Sequence, residues 1–320
     1  MIQLLRHHEI DPVSWEACLQ KADAPLVYLH AWYLEVVCRG HWEALVEIQD
    51  NEYVSLFPLP VRTLLGRKKV YQPLFTQQLG LVVTPASQHR TPEEYLALLP
   101  VHYSAVQYQM PWCHERTLIL PTPWAYRTRP NYELSLSPAY AEVRQNYSSN
   151  LRRNLKKAEK EKLTVVPTSG IKSLVELFRN TKGKELPELR NRHYQTLEGL
   201  YGRVKQEKAG QVWEVRLRGE LLAAAFLLET DHAITFLFGA SSPKGRQKSA
   251  MAFLLDHIIA QAAGSGKTFD FEGSEVPGVA NFYASFGAQP VWYVSLSSKP
   301  KSTALQWSPT VFSFLAKHLR

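Results

Sequence analysis

The sequence predicts an α/β protein made of two mixed-sheet domains in tandem. Three observations carry this. The chain has 320 residues, 45% of them hydrophobic, which is long for one domain and enough for two buried cores. Two strand–turn–strand segments look like copies: residues 42–59 around a polar turn at 49–52, and residues 213–228 around Arg218-Gly219-Glu220. Both open on Trp-Glu, as Trp42-Glu43 and Trp213-Glu214. Finally, Phe269-Asp270-Phe271-Glu272-Gly273-Ser274 reads as a buried strand ending in two carboxylates and a turn, ahead of a short helix closed by Gly287. The expected fold class is therefore α/β with an α+β mixed sheet. The expected boundaries are a first domain over 1–132, a second over 133–299 and a tail over 300–320.

Taken in order, apolar residues between 13 and 34 suggest one or two helices before the first hairpin. Gly66-Arg67-Lys68-Lys69 is a basic turn. Thr91-Pro92-Glu93-Glu94 starts a helix, with Pro in the first turn and acids near the positive end of the dipole. A Pro-rich stretch over 121–130 closes the domain. Ser137-Pro138 then predicts one long helix, Ser as N-cap and Pro at N1. Its apolar positions Val143, Tyr147, Leu151, Leu155 and Ala158 recur at helical spacing. Further helices are expected over 171–181 and 190–202, then the second hairpin, a strand over 233–239, an apolar helix over 250–263 and a tail helix over 310–319. Gly264-Ser265-Gly266-Lys267-Thr268 is not a P-loop. Its helix precedes the glycines and its strand follows them, and Gln261 stands where the first Gly belongs.

The net charge is +8 and unevenly placed. Arg144, Arg152, Arg153, Lys156, Lys157, Lys160 and Lys162 face only Glu159 and Glu161 within residues 144–162. A local cationic face suggests an anionic partner, whether phosphate, nucleic acid, nucleotide or an anionic membrane lipid at the periphery; a solvated helix face is the plainer alternative. No run reaches the length of a membrane span, and residues 1–11 hold no apolar signal-peptide core. Cys18, Cys38 and Cys113 are far apart, which predicts free thiols in a reducing cytoplasm. No His pair has metal-ligand spacing and no Gly-x-Ser-x-Gly elbow occurs, so metal and serine-hydrolase chemistry are poorly supported.

Two sets of residues point to chemistry. Asp270 and Glu272 alternate with the two Phe residues and so share a strand face, with Tyr283 on the following helix. This is an acid/base set, or else a group of buried ion pairs and a core aromatic. Residues 241–250 lie between a strand and an apolar helix, where backbone amides hold phosphates and Arg246 and Lys248 add positive charge.

The same residues carry a resemblance. Ala280-x-x-Tyr283-x-x-x-Gly287 resembles the passage of GNAT-type acyltransferases from their fifth strand into the next helix. With Tyr147-Ser148-Ser149-Asn150-Leu151-Arg152-Arg153-Asn154-Leu155-Lys156-Lys157-Ala158-Glu159-Lys160, the run from Ser137 to Gly287 resembles the FemABX-like branch, whose members carry two GNAT-like domains. The resemblance implies transfer of an acyl or aminoacyl group to an amine, on a cell-wall precursor for example, with acyl-CoA or aminoacyl-tRNA as co-substrate and no tightly bound cofactor. It implies Asp270 or Glu272 as proton acceptor and Tyr283 as donor to the leaving group. Arg246, Lys248 and Ser249 would meet donor phosphates, and Arg153, Lys156, Lys157 and Lys160 a polyanion. GNAT enzymes carry (Arg/Gln)-x-x-Gly-x-(Gly/Ala) at this helix start. Here Arg246 fits, whereas Ser249 and Met251 replace the small residues, which disfavours ordinary acetyl-CoA. An acyl-CoA-dependent N-acetyltransferase and a non-catalytic polyanion-binding protein are the alternatives.

Overall fold

The computed structural model describes residues 1–112, 120 and 124–298. Cys113, the start of the Pro-rich stretch and the expected tail helix lie outside these residues. The chain divides into two compact units. The first comprises Met1–Arg129 and the stretch from Trp292; the second comprises Pro130–Val291. The last strand thus crosses back into the first unit.

The first unit runs β1 (Ile2–Leu5), α1 (Pro12–Lys21), α2 (Ala31–Cys38), β2 (Trp42–Gln49) and β3 (Glu52–Leu64). It continues through β4 (Arg67–Val70), β5 (Val82–Val83), α3 (Pro92–Leu96), α4 (Leu99–His102) and β6 (Gln107–Pro111). β1, β2, β3 and β4 pair in that order, and β5 also pairs with β3. The expected helix start at Thr91 is present, with its hydroxyl and Glu94 forming a reciprocal cap. Cys18 and Cys38 are buried free thiols. Burial pushes the Cys18 thiol up to about 12.

β7 (Ala125–Ser135) leads into the second unit, which holds α5 (Tyr140–Gln145), α6 (Ser149–Lys160), β8 (Thr164–Thr168), α7 (Lys172–Asn180) and α8 (Asn191–Gln206). Then come β9 (Gly210–Leu217), β10 (Glu220–Glu229), β11 (Ala233–Ser241), α9 (Pro243–Gln247) and α10 (Ala250–Ala262). β12 (Thr268–Asp270), α11 (Pro277–Ala284) and β13 (Gln289–Ser297) complete the order. The sheet order here is β7-β12-β11-β10-β9-β8, with β11–β12 the parallel pair. β10 is apolar on both faces because both are covered. Ala223, Ala225 and Leu227 join the core beneath α6, α10 and α11. On the other face, Phe226 stacks edge-on with Tyr201 of α8. The residues between α10 and β12 form the expected connector, with Gly264 and Gly266 at positive φ.

The two hairpins share geometry. Each turns through two left-handed residues, Asp50-Asn51 and Arg218-Gly219. Each carries a bulge at the third residue of its second strand, Val54 and Leu222. In both units the order before them is strand, helix, helix, with the leading strand antiparallel to the first hairpin strand. The Trp-Glu pairs that drew attention to the repeat are out of register, however. Trp42 opens β2, whereas Trp213 is the fourth residue of β9.

Several local expectations are corrected. The helix predicted from Ser137-Pro138 is two helices. The Ser148 hydroxyl accepts from Leu151 N–H at 3.2 Å and starts α6, while its own N–H donates to the Ser285 carbonyl at 2.8 Å. The strand expected to reach Glu272 stops at Asp270, since Glu272 adopts φ 59°. Asp270 and Glu272 therefore meet through a turn, Glu272 N–H donating to Asp270 Oδ1 at 2.8 Å, and not by strand alternation. α8 continues past Gly202, and α11 starts early at Pro277, its N1 residue.

Candidate functional site

A cleft of about 400 Å³ opens in the second unit at the start of α10. Three segments of the chain wall it. Asn150, Leu151 and Asn154 come from α6; Gly278, Asn281, Phe282 and Ser285 from α11; Ser241, Gly245, Arg246, Ser249, Ala250, Met251 and Ala252 from the end of β11 through α10.

The α9–α10 junction is tight for identifiable reasons. Gly245 packs so closely that a Cβ there would lie 2.0 Å from the Leu222 carbonyl oxygen. The Ser242 hydroxyl caps α9 through Gly245 N–H at 2.9 Å. Ser249, the N-cap of α10, has φ 53° and makes no side-chain cap bond. This is the conformation Gly takes without penalty, which accounts for the Gly that GNAT enzymes place here. The first amides of an α-helix have no partner within it, so those of Ala250, Met251 and Ala252 are available at the cleft wall.

α11 is held against α6 by its end. Gly287 has φ 79°, and a Cβ on it would lie 2.8 Å from the Asn146 Cβ. That accounts for the Gly of the Ala280-x-x-Tyr283-x-x-x-Gly287 pattern. It lets the chain leave α11 against the α5–α6 break.

The expected donor-binding residues divide. Arg246 and Ser249 line the cleft, and Arg246 Nη1 donates to the Ser241 carbonyl at 3.1 Å. Lys248 does not line it; its Nζ pairs with Glu161 at 2.7 Å. Arg153, Lys156, Lys157 and Lys160 are exposed on α6, while Leu151, Leu155 and Ala158 are buried. Arg153 donates to Asn150 Oδ1 at 2.8 Å, which ties the cationic face to a cleft residue.

Asp270, Glu272 and Tyr283 are not among the cleft's lining residues. All three are buried. The Tyr283 ring packs on Phe271 and Tyr132, and burial pushes its hydroxyl up, with the Glu272 and Asp270 charges adding to this. Burial raises the Asp270 carboxyl to about 7, with the Glu133 charge next in effect. Asp270 stands directly across from Glu133 in the β12–β7 register, and Asn131 Nδ2 donates to Asp270 at 3.0 Å and to Glu133 at 3.2 Å. Burial raises Glu133 as well. Sequence reasoning missed Glu133, Asn131 and the cleft-facing Asn150, Asn154, Asn281 and Ser285. A signal was present for the α11 set, since 278, 281, 282 and 285 fall on one helical face. None was present for Glu133, which meets Asp270 only through strand pairing.

Among the described residues no group of His, Cys, Asp and Glu could hold a metal, and no helix is long and apolar enough to cross a membrane.

Residues 145–282 match the family model for the acetyltransferase (GNAT) domain. The chain is similar to the crystal structure of FemX, at 14% identity and a TM-score of 0.66, covering 91% of this chain and 96% of that one. It is also similar to L-PGS from Bacillus licheniformis, at 14% identity and a TM-score of 0.54, covering 96% of each chain. A conserved protein of unknown function from Bacteroides thetaiotaomicron VPI-5482 aligns at 10% identity and a TM-score of 0.60, covering 93% of this chain and 99% of that one. No curated protein sequence matches the chain. A GNAT acetyltransferase domain is thus matched within the second unit, and the chain shares the fold of FemX over nearly its whole length.

Proposed function

We propose that this acyltransferase moves an acyl or aminoacyl group from aminoacyl-tRNA or acyl-CoA to an amine, in the cytoplasm. The observation that carries the reading is the cleft at the start of α10, where unpaired amides and Arg246 meet the wall formed by the cationic helix α6. The amides and Arg246 would hold donor phosphate. Arg153, Lys156, Lys157 and Lys160 would hold a longer polyanion, for which tRNA is the assigned case and an anionic lipid surface the competing one. Lys248 is assigned to the donor only through exchange of its Glu161 partner.

For the chemistry, Asp270 is the assigned proton acceptor, because its carboxyl sits near neutrality, and Glu272 adjoins it. The amine nitrogen bonds to the donor carbonyl carbon and loses a proton. The C–O or C–S bond breaks, and the departing oxygen or sulfur takes up a proton, assigned to the Tyr283 hydroxyl. Most of the rate would come from holding the two substrates in line. The acceptor class that the resemblance implies is the amine of a cell-wall precursor.

Thermal unfolding of the full chain separates the donors. Stabilisation by aminoacyl-tRNA and not by acetyl-CoA assigns the tRNA donor, and the reverse assigns the thioester. No stabilisation by either would overturn the reading.

A further inference from the structure

The carboxylate cluster away from the cleft walls has a chemistry of its own. Asp270 and Glu133 face one another across two strands, where like charges repel. Among the described residues neither has a basic partner. What meets them is the Asn131 amide and, at Asp270, the Glu272 N–H. Both hydrogen bonds to Asp270 fall on Oδ1, which leaves Oδ2 for another donor. Asn131 is 2% exposed, and its Oδ1 is buried with no hydrogen-bond partner. A buried polar atom left unpaired in this way destabilises the fold, and a donor that reaches it is favoured. Glu133 is only half-buried, so the cluster is open on that side.

A ligand that meets two carboxylates and one amide oxygen together is best matched by positive charge and several N–H donors. A primary ammonium has both. We propose that Glu133, Asp270 and the Asn131 carbonyl oxygen form the binding site for the primary ammonium group of the acceptor. Naming the ligand as the acceptor rests on the acyl-transfer reading; the ammonium site itself rests on the cluster. The site selects primary amines over quaternary ones, since the latter have charge and no N–H.

Titration calorimetry on the full chain tests this with n-butylammonium chloride as probe and tetramethylammonium chloride as comparison. Wild type should bind butylammonium and not tetramethylammonium. Glu133→Gln should weaken butylammonium binding about tenfold or more, the loss expected of a charge-assisted hydrogen bond. Glu142→Gln, on the exposed face of α5, should leave it unchanged. Asn131→Ala provides a second variant with the carboxylates intact and should also weaken binding. Absence of butylammonium binding, or equal binding of both cations, overturns the proposal, as does equal affinity in wild type and Glu133→Gln. If acyl transfer proceeds with an unchanged KM for the amine in Glu133→Gln, the site is wrong and the reading stands. If butylammonium binds as predicted while neither donor supports transfer, the site stands and the reading fails.

Discussion

Asp270 links the stability of the protein to pH. Its carboxyl is raised from 3.8 to about 7 in the folded chain, first by burial and then by Glu133. The folded state therefore holds the proton more tightly than the unfolded one. The associated stability is fully present below the unfolded value near 4 and is lost as pH rises through about 7. Asp270→Asn keeps an acceptor for both bonds to Oδ1 and cannot ionise. It should be more stable than the parent at pH 8, by on the order of a few kcal/mol at most, and the two should converge near pH 4. Urea unfolding at pH 4, 6 and 8 measures this; parallel pH profiles would remove Asp270 as the titrating group. Tyr283→Phe deletes one hydroxyl from a packed ring, so the fold should persist. If that hydroxyl protonates the leaving group, acyl transfer falls on the order of 10²-fold or more, and a native rate would leave Tyr283 a packing residue. The sequence singled out Asp270 and Glu272 by the local pattern of a strand tip and Tyr283 by the helix that follows, but the structure leaves all three off the cleft's lining. Glu133 was not singled out, because its role depends on a cross-strand register that no neighbouring residue encodes.

Among the elements, α6 and α11 decide how the cleft is built. Replacing Arg153, Lys156, Lys157 and Lys160 with Gln removes four exposed cations and no buried side chain. If they meet tRNA phosphates, affinity should drop and the salt dependence should flatten by about 0.7–0.9 per lost contact. Unchanged affinity and slope would leave a solvated face. Gly287→Ala should destabilise the fold by about 1 kcal/mol or more, because it combines a left-handed φ with a Cβ 2.8 Å from Asn146. Native stability in that variant would show that α11 ends differently. The break between α5 and α6 was hidden in the sequence by phase. Val143, Tyr147, Leu151 and Leu155 keep four-residue spacing straight across it, and all are buried. The stop lies in Ser148, whose cap was readable, and in the Ser285 carbonyl, which was not.

For the whole molecule, the same order of strand, two helices and a bulged hairpin recurs in both units. The two hairpins were legible as strand, tight polar turn and strand, whereas the Trp-Glu pair that marked them as copies is offset between them. The return of β13 to the first unit was not legible, because the polypeptide carries no composition shift at Trp292. The central claim is that an acyl donor enters the cleft at the start of α10 and gives up its acyl group to an amine. The direct measurement is transfer from radiolabelled aminoacyl-tRNA, and separately from acetyl-CoA, to n-butylamine by the full chain and by Asn281→Trp. Asn281 is exposed on the cleft wall, so the indole would fill the cleft without entering the core. The account predicts labelled amide with wild type from one of the two donors, and its loss with Asn281→Trp while the unfolding midpoint is kept. Equal transfer by both proteins, or none by wild type from either donor, would contradict it.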